Sequence, residues 1–238
     1  MEKFGRQRMP KRIPRAKSSI ERELWTNGGL VCGLDEVGRG CLAGPVVTAA
    51  VILHPRATFA LLKDSKVLNA QQRVRAAKWI KQHSWYAYGM VSHREIDTYN
   101  IYQATLCAMR RAVAHVVGQA PQIPSLIVVD AMPLSFHAGI LKTITVESFP
   151  FGEQRSISVA AASILAKVKR DEMMHEYDRL FPGYALKGHK GYATRVHRRC
   201  VHECGRCLIH RQRFLEHLQA EERTLSYEYQ IELFCRSS

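Results

Sequence analysis

Apolar and polar positions fall into blocks that predict strands and helices in turn. From Gly29 the chain reads Leu30, Val31, Cys32, Gly33, Leu34, then a polar glycine-rich turn, then a β-branched run from Val46 to Leu53. That pattern suits two adjacent strands joined as a hairpin. Asn69 can cap a helix whose Val74, Ala77 and Ile80 share a face, and Trp85 to Val91 alternates like a third strand. Ile101, Thr105, Ala108, Ala112 and Val116 recur at helical spacing. Leu126 to Val129 is short and wholly apolar, as a central strand would be, and it ends at Asp130; Leu141 to Val146 is a further strand candidate. Ser156 to about Leu180 predicts a long alanine-rich helix with Ile157, Ala161, Ile164 and Val168 inward, stopped by Pro182 and Gly183. Beyond Gly191 the chain is charged, rich in cysteine and histidine, and mostly helical in pattern, which suggests a smaller lobe. The tail from Ala220 to Ser238 is expected to add one more helix, amphipathic from Tyr227 to Phe234. No internal repeat is visible.

With 238 residues and 46% hydrophobic content, the chain can bury one main core and a small appendage without metal or disulfide staples. The expected division is a basic flexible arm over 1–28, an α/β domain over 29–193 and a helical C-terminal lobe and tail over 194–238. A formal charge of +14, from 35 lysines and arginines against 21 acids, favours a polyanionic partner. Lys3, Arg6, Arg8, Lys11, Arg12, Arg15 and Lys17 stand against Glu2 alone, so six of those fourteen charges precede Ser18. No apolar run nears the roughly 18 residues of a membrane span, and the first apolar stretches are too broken for a secretory signal, so a soluble, cytoplasmic protein is expected. Seven scattered cysteines fit reduced thiols better than a disulfide framework.

Asp35 and Glu36 close one apolar strand and Asp130 closes another, so one sheet can bring all three to a common edge. Strand-end acids are commonly just solvated, and Asp130 alone would not compel a functional reading. Gathered together, however, carboxylates repel, and burying them unpaired raises their pKa values or destabilises the fold. Mg²⁺ or Mn²⁺ would turn the same cluster into an oxygen-rich metal site. Two such ions roughly 4 Å apart can activate water and stabilise the leaving oxygen of an in-line phosphodiester displacement.

Asp35-Glu36-Val37-Gly38-Arg39-Gly40, followed by Gly44-Pro45-Val46-Val47, resembles the signature of the ribonuclease HII, or type 2 ribonuclease H, family. Further blocks are similar to that family: Asp64-Ser65-Lys66 with Leu68, Glu95-Ile96-Asp97 leading to Asn100-Ile101, Val129-Asp130, Ala160 to Val168 with Arg170-Asp171, His189-Lys190-Gly191-Tyr192, and His210-Arg211 before Phe214. The resemblance spans about Leu30 to Phe214. It implies a ribonuclease H-like fold with a central mixed five-stranded sheet, and two-metal hydrolysis of the RNA strand of RNA–DNA hybrids by a monomer. It also implies incision 5′ of ribonucleotides in duplex DNA, and four acidic metal ligands.

Three of those acids match Asp35, Glu36 and Asp130. The family usually has an aspartate where Glu153 stands in Phe151-Gly152-Glu153-Gln154-Arg155-Ser156. Glutamate keeps the charge but carries it about 1.5 Å further from the backbone. This is similar to the sister family, ribonuclease HIII, and it shifts the expected metal preference toward the geometrically more forgiving Mn²⁺. Glu147, at a strand end before Pro150, and Asp171, beside Arg170 where a structural ion pair would account for it, are rival fourth ligands.

Telling RNA from DNA requires contact with the 2′-hydroxyl. Gly38-Arg39-Gly40 offers main-chain groups that a sugar-phosphate can approach closely, although two glycines could equally shape a hairpin turn. The resemblance makes this turn a contact to the ribonucleotide at an RNA–DNA junction, with Tyr192 stacking on the next deoxyribose. Lys66, Lys167 and Lys190 lie in matching blocks and are expected to hold phosphates. Cys204-x-x-Cys207, near Cys200, His197, His202 and His210, has zinc-pair spacing, but a second pair is missing, so idle thiols at a helix end are the expectation. From the residues alone, a non-catalytic hybrid binder and another two-metal nuclease of the same fold stay open as alternatives. Deleting the residues before Ser18 should weaken binding to duplex nucleic acid and spare cleavage. A deletion variant with intact circular dichroism that no longer cleaves would show that the arm belongs to the site.

Overall fold

The central strand is β1 (Val31–Val37), which pairs antiparallel with β2 (Val46–Leu53) and parallel with a later strand, so the sequence's hairpin is the start of a mixed sheet. A computed structural model of the chain describes residues 19–62 and 65–218. Most of the expected arm, Asp64 of the motif and the expected tail helix lie outside those residues. From Ser19 the arm's end is a helix, α1 (Ser19–Thr26), whose buried Glu21 accepts hydrogen bonds from Ser156 Oγ at 2.5 Å and Ser158 N at 3.0 Å.

After β2 come α2 (Ala70–Gln82), β3 (Ser84–Val91), α3 (His93–Tyr99) and α4 (Ile101–Val117). Asn69 caps α2 and shares a capping box with Gln72, while Ser92 and Glu95 do the same for α3. Then follow β4 (Leu126–Asp130), β5 (Thr145–Phe149), a single turn α5 (Gly152–Arg155) and the long α6 (Ile157–Leu180). The strand expected at Leu141 to Val146 is instead a 3-10 turn over Ile140–Thr143 followed by β5. The mostly exposed β5 lies at the sheet's edge, so little apolar pattern marked it. Two short C-terminal helices complete the described chain, α7 (Leu186–His189) and α8 (Arg195–Cys204), with residues 212–218 again helical.

The sheet order is β3-β2-β1-β4-β5. Side chains alternate across it, so Cys32 and Leu34 meet Met109 and Val113 of α4 on one face, while Ala49 and Val51 meet Ala161 and Leu165 of α6 on the other. Phe214 packs beside Val46 and Val91, and Ile209 beside Ala43, which joins the C-terminal lobe to the sheet. The six described cysteines are free thiols. No described helix is long and apolar enough to cross a membrane.

Gly33 sets the distance between β1 and α6. A Cβ there would lie 2.2 Å from the Ser158 carbonyl carbon and 2.3 Å from Val159 N, both backbone atoms that cannot rotate away. Gly33→Ala should therefore push α6 off the sheet and cost about 3 kcal/mol, read as a lower urea midpoint at unchanged slope. An unmoved midpoint would mean that α6 yields freely.

Candidate active site

Parallel pairing places the carboxyl ends of β1 and β4 at the same edge of the sheet. Leu34 pairs with Val129, so Asp35 and Asp130 follow side by side one residue on. Both fall on the face covered by α6, since Asp35 is two residues beyond Gly33 and Asp130 two beyond Val128. Glu36 points to the opposite face, as neighbours in a strand must, and reaches the same cavity from around the strand's end.

That cavity, about 500 Å³, is lined by Asp35, Glu36 and Asp130, by the turn Gly38, Arg39 and Gly40, and by Lys66, Lys167 and Tyr192. Nine of the eleven site residues expected from the sequence thus share one space. Glu153 and Lys190 do not line it. Glu153 is buried in the first turn of α5, immediately after Gly152, whose N–H donates to Asp130 Oδ1 at 2.9 Å. Lys190 adopts a left-handed conformation at the end of α7, its ammonium donating to the Lys187 carbonyl. Of the rival acids, Glu147 is exposed in mid-strand on β5. Asp171 accepts from Lys167 Nζ at 2.8 Å, one helical turn away, so its ion pair is with Lys167 and not with Arg170.

Four lining residues were not singled out as site residues beforehand: Val37, Ser65, Arg73 and Ser163. Ser65 and Ser163 share a hydroxyl–hydroxyl bond of 2.8 Å, and Arg73 bonds the carbonyls of Ser65 and Leu68, tying the Lys66 loop to α2 and α6. Ser65 and Ser163 lay within matched sequence blocks, but nothing in the spacing pointed to Arg73.

Each carboxylate is held by a donor of its own. Asp35 Oδ1 accepts from Glu36 N at 2.8 Å, Asp130 from Gly152 N, and Glu36 Oε1 sits 3.4 Å from the Arg39 guanidinium. Glu36 Oε2 is buried with no hydrogen-bond partner. Burial, and then the charge of Glu36, push the Asp35 carboxyl well above its ordinary value; bonding to Ser163 opposes this and the Asp130 charge adds to it. Burial also raises Glu36, with Arg39 pulling the other way. Among the described residues no three His, Cys, Asp or Glu side chains stand close enough to chelate one ion as placed. Opposite faces for Asp35 and Glu36, together with mutual repulsion, account for that spread. The donor set itself, all carboxylate oxygen with one buried lone oxygen, suits a hard divalent cation.

Among the described residues the cysteine–histidine cluster near the zinc-like spacing bonds mostly within itself. His197 Nε2 lies 3.0 Å from His210 Nε2, and His210 Nδ1 lies 3.1 Å from Cys207 Sγ, while Cys204 is exposed. These groups satisfy one another.

Fold and site together define a ribonuclease H-like α/β enzyme, with acids at the ends of the two central parallel strands and cations at the rim. The ribonuclease HII family model matches residues 32–217, and the chain belongs to the ribonuclease HII family. The ribonuclease HII of Levilactobacillus brevis is 44% identical over 200 residues, covering 84% of this chain and 74% of that protein. Ribonuclease H2 from Pyrococcus horikoshii superposes with a TM-score of 0.62 at 22% identity, over 82% of this chain and 98% of that one. Bst ribonuclease HIII, solved in complex with Mn²⁺, gives 0.57 at 23% identity, over 74% of this chain and 63% of that one. The chain is accordingly a ribonuclease H, an endonuclease acting on RNA–DNA. Membership separates the chain from another two-metal nuclease of the same fold.

A raised carboxyl in the folded state opposes ionisation, so its stabilising contribution is complete below the ordinary carboxylate range and is lost as pH rises through the raised value. In chelator, Asp35→Asn should therefore melt above the wild type at pH 8, with the gap closing toward pH 4. A variant melting lower than wild type at pH 8 would contradict the burial and repulsion that raise this carboxyl.

Proposed function

We propose that this ribonuclease H hydrolyses the RNA strand of hybrids and also incises 5′ of single ribonucleotides embedded in duplex DNA. Two divalent ions, Mn²⁺ or Mg²⁺, are held by Asp35, Glu36, Asp130 and Glu153. The observation that carries this reading is the shared cavity: three carboxylates, the Gly38-Arg39-Gly40 turn and Tyr192 line one space. When bound, such ions lower the pKa of a water nucleophile and stabilise the leaving oxygen.

The chain's own residues do the rest. Asp35 and Asp130 stand side by side, each oriented through one oxygen. Glu36 contributes its buried, unpartnered oxygen from the other side of the strand. Glu153 completes the set from the turn that follows Asp130's anchor, Gly152; its extra methylene favours the more tolerant Mn²⁺. Lys66 and Lys167 line the same cavity and hold phosphates flanking the scissile bond in this reading, and Lys190, outside the cavity, serves a phosphate further along the strand. Tyr192 is 39% exposed with Arg170 on one side of its ring, so its accessible part can stack on a sugar, and the glycine turn gives main-chain groups to the 2′-hydroxyl.

A duplex carrying one ribonucleotide, incubated with Mn²⁺, Mg²⁺ or chelator, tests the reading. Expected are metal-dependent cuts on the 5′ side of the ribonucleotide, with 3′-hydroxyl and 5′-phosphate ends, and faster turnover in Mn²⁺. Glu153→Ala should lower kcat/KM at least about a hundredfold with the fold intact, and Tyr192→Ala should reduce single-ribonucleotide incision more than hybrid cleavage. Chelator-resistant cutting would sink the metal mechanism, and a severe loss in Asp171→Ala with none in Glu153→Ala would reassign the fourth ligand.

A further inference from the structure

Two arginines are wholly buried beneath the glycine turn, and no acid lies within ion-pair distance of either among the described residues. Arg170 Nε donates to Pro45 O at 3.0 Å, Nη1 to Lys190 O at 2.8 Å and Nη2 to Ala43 O at 3.1 Å. Arg211 Nη2 donates to Gly38 O at 2.6 Å and to Gly44 O at 2.8 Å, Nη1 to Arg39 O at 2.7 Å, and Nε to Gly44 O at 3.0 Å. Burial lowers the Arg211 pKa to about 10, which leaves it charged at neutral pH. A buried cation is costly, and an apolar side chain of similar volume often serves packing better, so its value lies in what it orients.

The orientation follows from peptide planarity. In a trans peptide the carbonyl and the following N–H point in opposite directions. With Gly38 O and Arg39 O both drawn onto Arg211, the N–H groups of Arg39 and Gly40 point away from it. Gly38 is buried, Gly40 is exposed, and all three turn residues line the cavity, so away from Arg211 means into that cavity. No described backbone carbonyl accepts from either N–H. The third carbonyl, Gly44 O, precedes Pro45, which has no N–H to strand. Gly38 itself has φ of +95°, and a Cβ on it would lie 2.2 Å from Arg170 Nε, so the turn closes directly onto the guanidinium layer.

We propose that Arg211 is a positioning residue for ribose recognition: its guanidinium fork fixes two successive peptide planes so that the Arg39 and Gly40 N–H groups face the sugar-phosphate of the ribonucleotide. This rests on the reading that the turn contacts the ribonucleotide, and it adds the group that makes that contact selective. Lysine in place of Arg211 keeps the charge and loses the fork, so it separates orientation from electrostatics.

The test compares two labelled duplexes, identical except for one ribonucleotide, bound in Ca²⁺ by wild type and Arg211→Lys. The wild type is expected to prefer the ribonucleotide duplex, and the variant to lose about tenfold of that preference while its affinity for all-DNA duplex stays within about twofold. A general loosening of the fold would lower both affinities together and leave the ratio standing; an unchanged ratio overturns the proposal. Wild-type incision of the same duplex in Mn²⁺ is the separate check: incision with an unchanged variant ratio defeats this inference alone, whereas no incision defeats the functional reading beneath it. Should Arg211→Lys fail to fold, the wild-type amide resonances of Arg39 and Gly40 provide the second measurement. They are expected to shift with the ribonucleotide duplex and not with the all-DNA one, and equal shifts would overturn the assignment.

Discussion

Negative charge gathered where water is thin is the constraint on which the rest of this structure depends. Parallel pairing of β1 with β4 sets Asp35 beside Asp130, and the next residue of β1 brings Glu36 around the strand's end. Such a group is tolerable only if each member is oriented and if positive charge stands close by. Both conditions are met locally: Glu36 N, Gly152 N and Arg39 each hold one carboxylate oxygen, while Lys66, Arg73 and Lys167 share the cavity. The raised Asp35 carboxyl is the remaining strain, and it has the sign that cation binding would relieve.

One helix serves the core and the site together. Ala161, Ile164 and Leu165 of α6 cover the sheet, while Ser163, Lys167 and Arg170, spaced four and three residues apart, fall on a face that meets the acids and then the glycine turn. Gly33 allows the helix to come close enough to set Ser163 on the cavity wall beside Asp35. Arg170 and Arg211 then replace what would ordinarily be an apolar floor under the turn. Their donors consume carbonyls that a loop of this tightness would otherwise leave buried and unsatisfied. The backbone beside the acids is thus held from below by two buried guanidinium groups.

Much of this was legible in advance because its causes are local. Apolar and β-branched runs marked β1 and β2, alternation marked β3, helical spacing marked α2, α4 and α6, and Asn69 announced its cap. The motif around Asp35 and the apolar run before Asp130 pointed to the acids that now share a cavity. What escaped notice lacked a local signature. Edge strand β5 has little to bury, so its position shifted, and α3 carried only a capping box, Ser92 with Glu95, that was not read as a helix start. Asp171 was rightly read as half of an ion pair, but its partner is the lysine one turn back because Arg170 faces inward.

The sequence by itself determined the element types, the family resemblance and which residues carry charge, since periodicity, caps and motif spacing are written along the chain. Only the tertiary structure decided that Asp35 and Glu36 approach one cavity from opposite faces, that Glu153 lies beside that cavity and not on its wall, and that Arg211 reaches back to Gly38 across most of the chain. The physical reason is the same in each case. Strand pairing, peptide orientation and the burial of a guanidinium are settled by contacts between residues far apart in sequence, and no local pattern encodes which distant carbonyl a buried donor will find.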